Sequence, residues 1–214
     1  MTNLLAFLTY MLITAFTPGP NNITSMSNAA TYGFKKSWPY NLGMWCAFSV
    51  VMILCALFST VLQTYIPSIK PYLIGAGAAY MLHLAWKTWK AEPPKVGTSA
   101  EDTLNGDLNT EQTDSKKTLS LSTRLFLSGA ALQFVNPKII IYGITSLSVY
   151  VIPNYSNKAI IALFALLLAL VGTTSTVCWA LAGSSLRLLF SQHTKIVNGV
   201  LAILLLWCTV SLFV

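Results

Sequence analysis

The chain has 214 residues, of which 55% are hydrophobic and only 9% are charged. Because soluble globular domains carry about 25% charged residues, this composition excludes an ordinary soluble domain and indicates a protein of the lipid bilayer. The formal net charge of +7 does not indicate nucleic-acid binding. The Lys and Arg residues form no run with interleaved aromatics; they separate apolar segments, as residues that set membrane orientation do.

Six apolar segments approach the ~20 residues that a membrane-spanning helix needs. The predicted spans cover roughly residues 4–26, 40–62, 70–88, 120–148, 159–182 and 196–213. Turns outside the membrane are predicted at Pro67-Ser68 and Pro153-Asn154. Segment 91–118 interrupts the pattern, since it is polar and contains every acidic residue of the chain. The sequence therefore predicts a first membrane repeat at 1–90, a cytoplasmic polar loop at 91–118 and a second repeat at 119–214.

The distribution of positive charge sets the predicted orientation. Most Lys and Arg residues lie in the first, third and fifth joints between spans, whereas the second and fourth joints hold only Lys70 and Lys158. Since cytoplasmic loops carry the excess of Lys and Arg, both chain termini are predicted on the periplasmic face of an inner (plasma) membrane. Three spans in each half then insert the halves in opposite senses. The predicted fold class is an all-α membrane protein of two inverted-topology three-helix repeats.

Two polar interruptions fall at similar depths in the first and fourth spans. The first reads Thr17-Pro18-Gly19-Pro20-Asn21-Asn22, and the second reads Gln133-Phe134-Val135-Asn136-Pro137-Lys138. Proline removes a backbone donor and clashes with the preceding turn, so helices 1 and 4 are predicted to be broken there. Matched breaks in two halves indicate the binding site of a transporter. The alternative is that the prolines only kink helices whose freed carbonyls are satisfied by neighbours.

Lys138 is the only charged residue between Leu125 and Asn157. A charge at the bilayer centre costs about 2.5–3.5 kcal/mol on insertion scales, which favours a functional role over the alternative of a turn at the membrane surface. Because all six acidic residues lie in segment 91–118, carbonyls, hydroxyls or a bound anion must meet the charge of Lys138. A polar patch at Gly172–Thr176, within the fifth span, either lines the pathway or bonds to its own helix.

No catalytic residue, metal site or cofactor is predicted. The four cysteines lie singly in apolar runs without CxxC spacing, and the chain has only two histidines, His83 and His193, with no HExxH motif. We therefore predict a transporter and not an enzyme. A membrane-embedded enzyme and a structural subunit without a pathway of its own are the alternatives.

Three motifs resemble the amino-acid exporters of the LysE/RhtB family, and within it the cysteine/O-acetylserine exporters. They are Thr17-Pro18-Gly19-Pro20-Asn21, Gly75-Ala76-Gly77-Ala78-Ala79-Tyr80 and Gln133-Phe134-Val135-Asn136-Pro137-Lys138. The resemblance covers the chain except 91–118 and implies efflux of small amino acids from the cytoplasm, driven by an ion gradient. Because the spans hold no Asp or Glu to pair with a second cation, the predicted function is a secondary active exporter of small neutral amino acids or derivatives, by proton-coupled antiport through Lys138. A threonine/homoserine exporter of the same family is the alternative, and a homodimer is left open. In the second helix Phe48 stands near the position where relatives that export cations carry an acid, which argues against export of lysine or arginine.

The predicted substrate site combines the two interruptions with one aromatic residue. It comprises Pro18, Gly19, Pro20, Asn21, Asn22, Gln133, Asn136, Pro137, Lys138 and Tyr142. Lys138 is expected to hold the substrate α-carboxylate, together with the half-helix N-termini at both breaks. The substrate ammonium is expected against half-helix carbonyls, the Asn22 or Asn136 side-chain oxygen and the Tyr142 ring. Because no Asp or Glu lies in the spans, Lys138 itself is expected to release the coupling proton.

The orientation can be tested by labelling single cysteines in a chain whose four native cysteines are replaced by serine. We expect an impermeant maleimide to label Asn154→Cys from outside intact cells. Ser99→Cys, in the predicted cytoplasmic loop, should react only after the inner face is exposed. Labelling of Ser99→Cys from outside would contradict both the orientation and the inverted repeat.

Overall fold

The computed structural model describes residues 4–90, 120–186 and 192–210, and over these ranges the regular structure is helical, without strands. The predicted loop at 91–118 and both ends of the chain lie outside the described residues. The helices are α1 (Leu4–Phe16), α2 (Pro20–Tyr32), α3 (Phe34–Leu57), α4 (Ser59–Trp89), α5 (Leu121–Val135), α6 (Pro137–Thr145), α7 (Lys158–Ser185) and α8 (Thr194–Val210). The all-α prediction is confirmed for this part of the chain.

Both predicted helix breaks are present. The first predicted span consists of α1 and α2, separated by Thr17–Gly19, and the fourth consists of α5 and α6, separated at Asn136. The axis bends by 59° between the two parts of the fourth span. Proline occupies the first helical position after each break, Pro20 in α2 and Pro137 in α6, where its missing N–H costs no intrahelical hydrogen bond.

A π-helical segment, Ser146–Val151, continues α6 without interruption. Its wider turn is marked by the hydrogen bond from the Ile152 N–H to the Leu147 carbonyl, which spans five residues instead of four. The chain then turns at Pro153-Asn154, as predicted, where the Asn154 N–H bonds to the Val151 carbonyl at 3.0 Å.

Length and composition identify α3 and α7 as helices that can cross a membrane. The bent pair of α5 with α6 and its π-helical continuation counts as a third if it is one span. Helices α1 and α8 are apolar but shorter, with 13 and 17 residues. The described residues thus show two or three membrane-crossing segments, and the arrangement of six remains a prediction.

The turn predicted at Pro67-Ser68 is wrong. These residues lie inside α4, and the chain turns at Phe58, between α3 and α4. The boundaries predicted at 40–62 and 70–88 shift accordingly to those of α3 and α4. Proline is tolerated within membrane helices when neighbouring groups satisfy the freed carbonyls. The actual turn carries neither Gly nor Pro, so the usual turn chemistry gave no sign of it.

Glycines allow close backbone contact between helices of different halves of the chain. A Cβ at Gly43 of α3 would clash with the Phe126 carbonyl oxygen of α5, and one at Gly183 of α7 would clash with the Met26 carbonyl oxygen of α2. Because lipid tails are as apolar as leucine, helices in a membrane associate through such close packing. Helices α2 and α5, one from each broken pair, are thereby held against α7 and α3.

The largest apolar cluster lies beside the breaks and joins α1, α3, α6, the π-helical segment and α7. Its largest members are Phe7, Met11, Phe48, Met52, Tyr142, Leu147 and Leu168. This cluster fixes the faces of α3, α6 and α7 that meet at the site described next.

Candidate functional site

A cavity with about 380 Å³ of empty space, part of it open to the outside, lies where the two helix breaks meet. Seven of the ten predicted site residues line it: Gly19, Pro20, Asn21, Asn22, Asn136, Lys138 and Tyr142. The two interruptions, more than a hundred residues apart in the chain, therefore form one site. The remaining three, Pro18, Gln133 and Pro137, lie beside the cavity and position its lining.

The Lys138 ammonium binds to the backbone of the first break. Its Nζ donates to the Thr17 carbonyl at 2.8 Å and to the Pro18 carbonyl at 3.4 Å. These carbonyls follow the C-terminal end of α1, which carries the negative end of that helix's dipole. Of the partners considered from the sequence, it is backbone carbonyls that meet the charge of Lys138 in this structure.

The other carbonyls at the end of α1 are also bonded to side chains from elsewhere in the fold. The Ala15 carbonyl accepts from Asn22 Nδ2 at 3.0 Å and from Ser175 Oγ at 2.8 Å. The Phe16 carbonyl accepts from Trp179 Nε1 at 3.3 Å, and the Pro18 carbonyl also accepts from Cys208 Sγ at 3.1 Å. These bonds from α2, α7 and α8 stabilise irregular backbone that a membrane does not otherwise tolerate.

The two helix N-termini at the breaks differ in what neutralises them. At α6, Asn136 caps the helix: its side-chain Oδ1 accepts from the Lys138 N–H at 3.1 Å, and its carbonyl accepts from the Ile139 N–H at 3.1 Å. At α2 the N-cap residue is Gly19, which has no side chain to offer, and no side chain caps the helix. The N-terminus of α2, with the positive end of its dipole, is therefore available to a ligand in the cavity. The N-terminus of α6 is already capped by the Asn136 side chain.

Three carboxamides connect the breaks. Asn21 Nδ2 donates to Gln133 Oε1 at 2.9 Å, and Asn136 Nδ2 donates to Asn21 Oδ1 at 3.2 Å. Gln133 Nε2 donates to the Gly129 carbonyl at 2.8 Å. Gln133 is fully buried and does not line the cavity, so it holds Asn21 in place instead of contacting a ligand.

Pro137 is likewise a packing residue. A Cβ at Gly77 of α4 would lie 3.3 Å from the Pro137 Cβ and closer still to the rest of the ring. The proline ring therefore fills the space left by the missing side chain at Gly77, and α4 supports the second break from outside the cavity.

The structure adds residues that the predicted site did not include. The cavity is also lined by Thr14, Ala15, Phe48, Ile139, Gly172 and Thr176. The patch at Gly172–Thr176 takes both roles considered from the sequence: Gly172 and Thr176 line the cavity, while the Thr173 and Thr174 hydroxyls bond to the Ala169 and Leu170 carbonyls. The sequence singles out Phe48 only for its position near an acid of cation-exporting relatives, and Ile139 gave no signal, because an apolar residue in an apolar span is indistinguishable from a lipid-facing one.

Residues 12–214 match the family described as LysE type translocator. The chain belongs to the LysE family. The proteins named cysteine/O-acetylserine efflux protein from Escherichia coli (strain K12) and from Shigella sonnei are both 43% identical to it. Each alignment covers 212 residues, which are 99% of this chain and 98% of the relative. No solved structure matches the chain.

LysE membership confirms the resemblance seen in the three sequence motifs. It also confirms that the chain is a transporter of the membrane and not an enzyme.

Removal of the Gln133 amide tests the carboxamide connection. Gln133→Leu has a similar volume but leaves the buried Asn21 amide without its partner, at a cost of about 1–3 kcal/mol. We expect a lower midpoint of thermal unfolding for the purified protein in detergent. Thr174→Val, which removes an exposed hydroxyl bonded only within α7, is the control and should change the midpoint little.

A double-mutant cycle makes the test specific. If Gln133 acts through Asn21, then Asn21→Leu combined with Gln133→Leu should destabilise less than the sum of the single changes. Additive effects would show that the two amides are not coupled.

Proposed function

We propose that the chain exports small neutral amino acids, of the cysteine and O-acetylserine type, from the cytoplasm across the inner (plasma) membrane. The names of its relatives support this substrate class. The observation that carries the proposal is the cavity itself, in which Lys138 lies beside the uncapped N-terminus of α2. No Asp, Glu or His is among the described residues that line it. Such a site attracts a carboxylate and has no group to neutralise a second cation.

Lys138 and the α2 N-terminus converge on the same space. A Cβ at Gly19 would lie 3.2 Å from the Lys138 Nζ, so the ammonium is next to the first residues of α2. A carboxylate placed there accepts N–H groups from the start of α2 and one from Lys138, which the two carbonyls leave available. This arrangement combines a helix dipole with a charged donor, as sites for anionic groups in broken-helix transporters do.

The substrate ammonium has backbone acceptors on the other side of the break. The Thr14 carbonyl would bond to the N–H of residue 18 in a continuous helix, but residue 18 is proline and has none. Thr14 lines the cavity, as does the Tyr142 ring. A bound amino acid thus has its carboxylate at the start of α2 and its ammonium at the end of α1. Its side chain is directed to the rest of the cavity lining.

The sign of the proton coupling depends on what happens to Lys138 when substrate arrives. If substrate bound only to charged Lys138, proton and substrate would leave together, which is symport. Antiport requires that they compete. We propose that the substrate ammonium, bound at the end of α1, repels the Lys138 ammonium beside it. Lys138 then releases its proton and holds the substrate carboxylate as a neutral amine donor.

The packing of the helices supports the inverted repeat as part of this proposal. Exchanging the halves of the chain exchanges α1 with α5, α2 with α6, α3 with α7 and α4 with α8. The exchange turns the α3–α7 pair and the α4–α8 pair into themselves, and both pairs are in contact. It turns the α2–α7 pair into the α6–α3 pair, and these two pairs are also both in contact. The proposed transporter has six spans, repeats at 1–90 and 119–214, a cytoplasmic loop at 91–118 and both termini outside.

Gly19→Ala tests the carboxylate site. The new Cβ would lie 3.2 Å from Lys138 Nζ and 3.3 Å from its Cδ, in front of the α2 N-terminus. We expect binding of O-acetylserine to the purified protein to weaken about tenfold, which is 1.4 kcal/mol. Folding should be unaffected, because Gly19 has an extended backbone with φ near −169° that any residue adopts.

Gly75→Ala is the matched control, since nothing lies within 4 Å of a Cβ at that position. It should bind like the unchanged protein. Unchanged binding in Gly19→Ala would place the carboxylate elsewhere.

Substitution of Lys138 tests the coupling. If substrate and proton compete, substrate binding to the unchanged protein tightens as pH rises; if they bind together, binding weakens instead. Lys138→Met should bind at all pH values but lose export driven by a pH gradient, while substrate exchange persists. Lys138→Arg should bind at least about tenfold more weakly, because a guanidinium keeps its charge.

The measurements are substrate binding as a function of pH and export from vesicles with and without a pH gradient. Export by Lys138→Met at the normal rate, with the normal response to the gradient, would exclude Lys138 as the coupling residue.

A further inference from the structure

One wall of the cavity is a single aromatic ring seated on a glycine. Phe48 of α3 lies against Gly172 of α7, and both line the cavity. A Cβ at Gly172 would lie 2.8 Å from the Phe48 Cζ and would clash with the neighbouring ring carbon. The ring therefore occupies the volume that any side chain at position 172 would need.

The position of the Phe48 ring is fixed from a second side by α6. Its centroid lies 6.2 Å from that of Tyr142, at an interplanar angle of 59°. Both side chains are buried, with exposed fractions of 5% and 3%. Rings at this distance and tilt attract one another in addition to their burial, so the wall does not yield freely to a larger ligand.

The lining is divided by chemistry. Residues of the breaks, from Gly19 to Asn22 with Asn136 and Lys138, supply the polar part together with Thr14, and Phe48 and Ile139 supply the apolar part, with the Tyr142 ring packed on Phe48. The charged amino and carboxylate groups of an amino acid belong in the polar part, because a charge against an apolar surface loses its hydration without compensation. The substrate side chain is thereby left to face Phe48.

We propose that Phe48, held on Gly172, is the residue that limits the size of the substrate side chain. This inference rests on the proposed export of amino acids and adds the group that selects among them. It restricts the substrate class to side chains that are short and uncharged, and it excludes branched and aromatic ones by steric contact with the ring.

Two variants change the space in front of Phe48 in opposite directions. Phe48→Leu removes ring volume and should admit longer apolar side chains, such as those of leucine and methionine. Gly172→Ala forces the ring away from α7 and into the cavity, so binding of O-acetylserine should weaken more than that of alanine or glycine. A contact of this kind discriminates by about 10–200-fold per methylene, and we expect a shift of at least tenfold in the affinity ratio of leucine to O-acetylserine for Phe48→Leu.

Each variant has a control at a position outside the cavity lining. Phe7→Leu makes the same change at a buried ring that packs on Tyr150 and Phe164. Gly143→Ala introduces the same methyl group beside Met52, whose Sδ would lie 2.9 Å from it. Both controls make the same chemical change away from the cavity lining and should leave the ranking of amino acids unchanged.

The experiment measures the affinities of the purified protein and its variants for a panel of amino acids of increasing side-chain length. If the unchanged protein binds small amino acids and its ranking is altered by Phe48→Leu or Gly172→Ala but not by the controls, the proposal holds. If the ranking is the same in all five proteins, Phe48 is structural and the inference is wrong. If the unchanged protein binds no amino acid, the proposed function itself fails. Should Phe48→Leu not fold, Gly172→Ala decides between the first two outcomes.

Discussion

A lysine ammonium among apolar helices, with no Asp or Glu in the described residues to pair with it, is the constraint on which the rest of this structure depends. All six carboxylates of the chain lie in segment 91–118, and the groups that bind the Lys138 ammonium among the described residues are neutral. The available acceptors are backbone carbonyls, and a continuous helix has none to spare. The first break supplies them, because Thr17 and Pro18 follow the last turn of α1 with their carbonyls released from helical bonding. The second half of the chain thus depends on an interruption in the first.

Much of the surrounding polar structure is explained by the free-energy cost of carbonyls that lack helical hydrogen bonds at this break. Each freed carbonyl would be unfavourable in a membrane, and side chains from three other helices bond to them. Asn22 does so twice, to Ala15 and Thr17, which gives this buried amide of α2 a structural role. Asn21 extends the network to Gln133 and Asn136, so that the two breaks are held in one rigid arrangement. The same few polar groups stabilise the breaks and line the candidate site.

The sequence predicted the parts of this arrangement that have a strong local cause. Pro18, Gly19, Pro20 and Pro137 stand beside polar residues in otherwise apolar spans, and Lys138 is the only charged residue between Leu125 and Asn157. The turn at Phe58 could not be predicted, because it has no turn chemistry and follows from how α3 and α4 pack. The roles of Gln133 and Phe48 were also out of reach, since they depend on which neighbour faces each side chain. Gln133 points to Asn21 rather than into the cavity, and Phe48 gains its role only from the glycine opposite it on α7.

The π-helical segment after α6 has a consequence for the ancestry of the chain. A turn closed by a bond from residue 152 to residue 147 holds one residue more than an α-helical turn, so the last positions of this helix are rotated by about 100° relative to a regular helix. If the two halves descend from a duplicated gene, an alignment of one half on the other needs a one-residue gap between Ser146 and Val151. Without that gap, the residues after it are compared with partners on the wrong face, and the similarity of the halves is underestimated. The duplication would then be hidden by a single inserted codon.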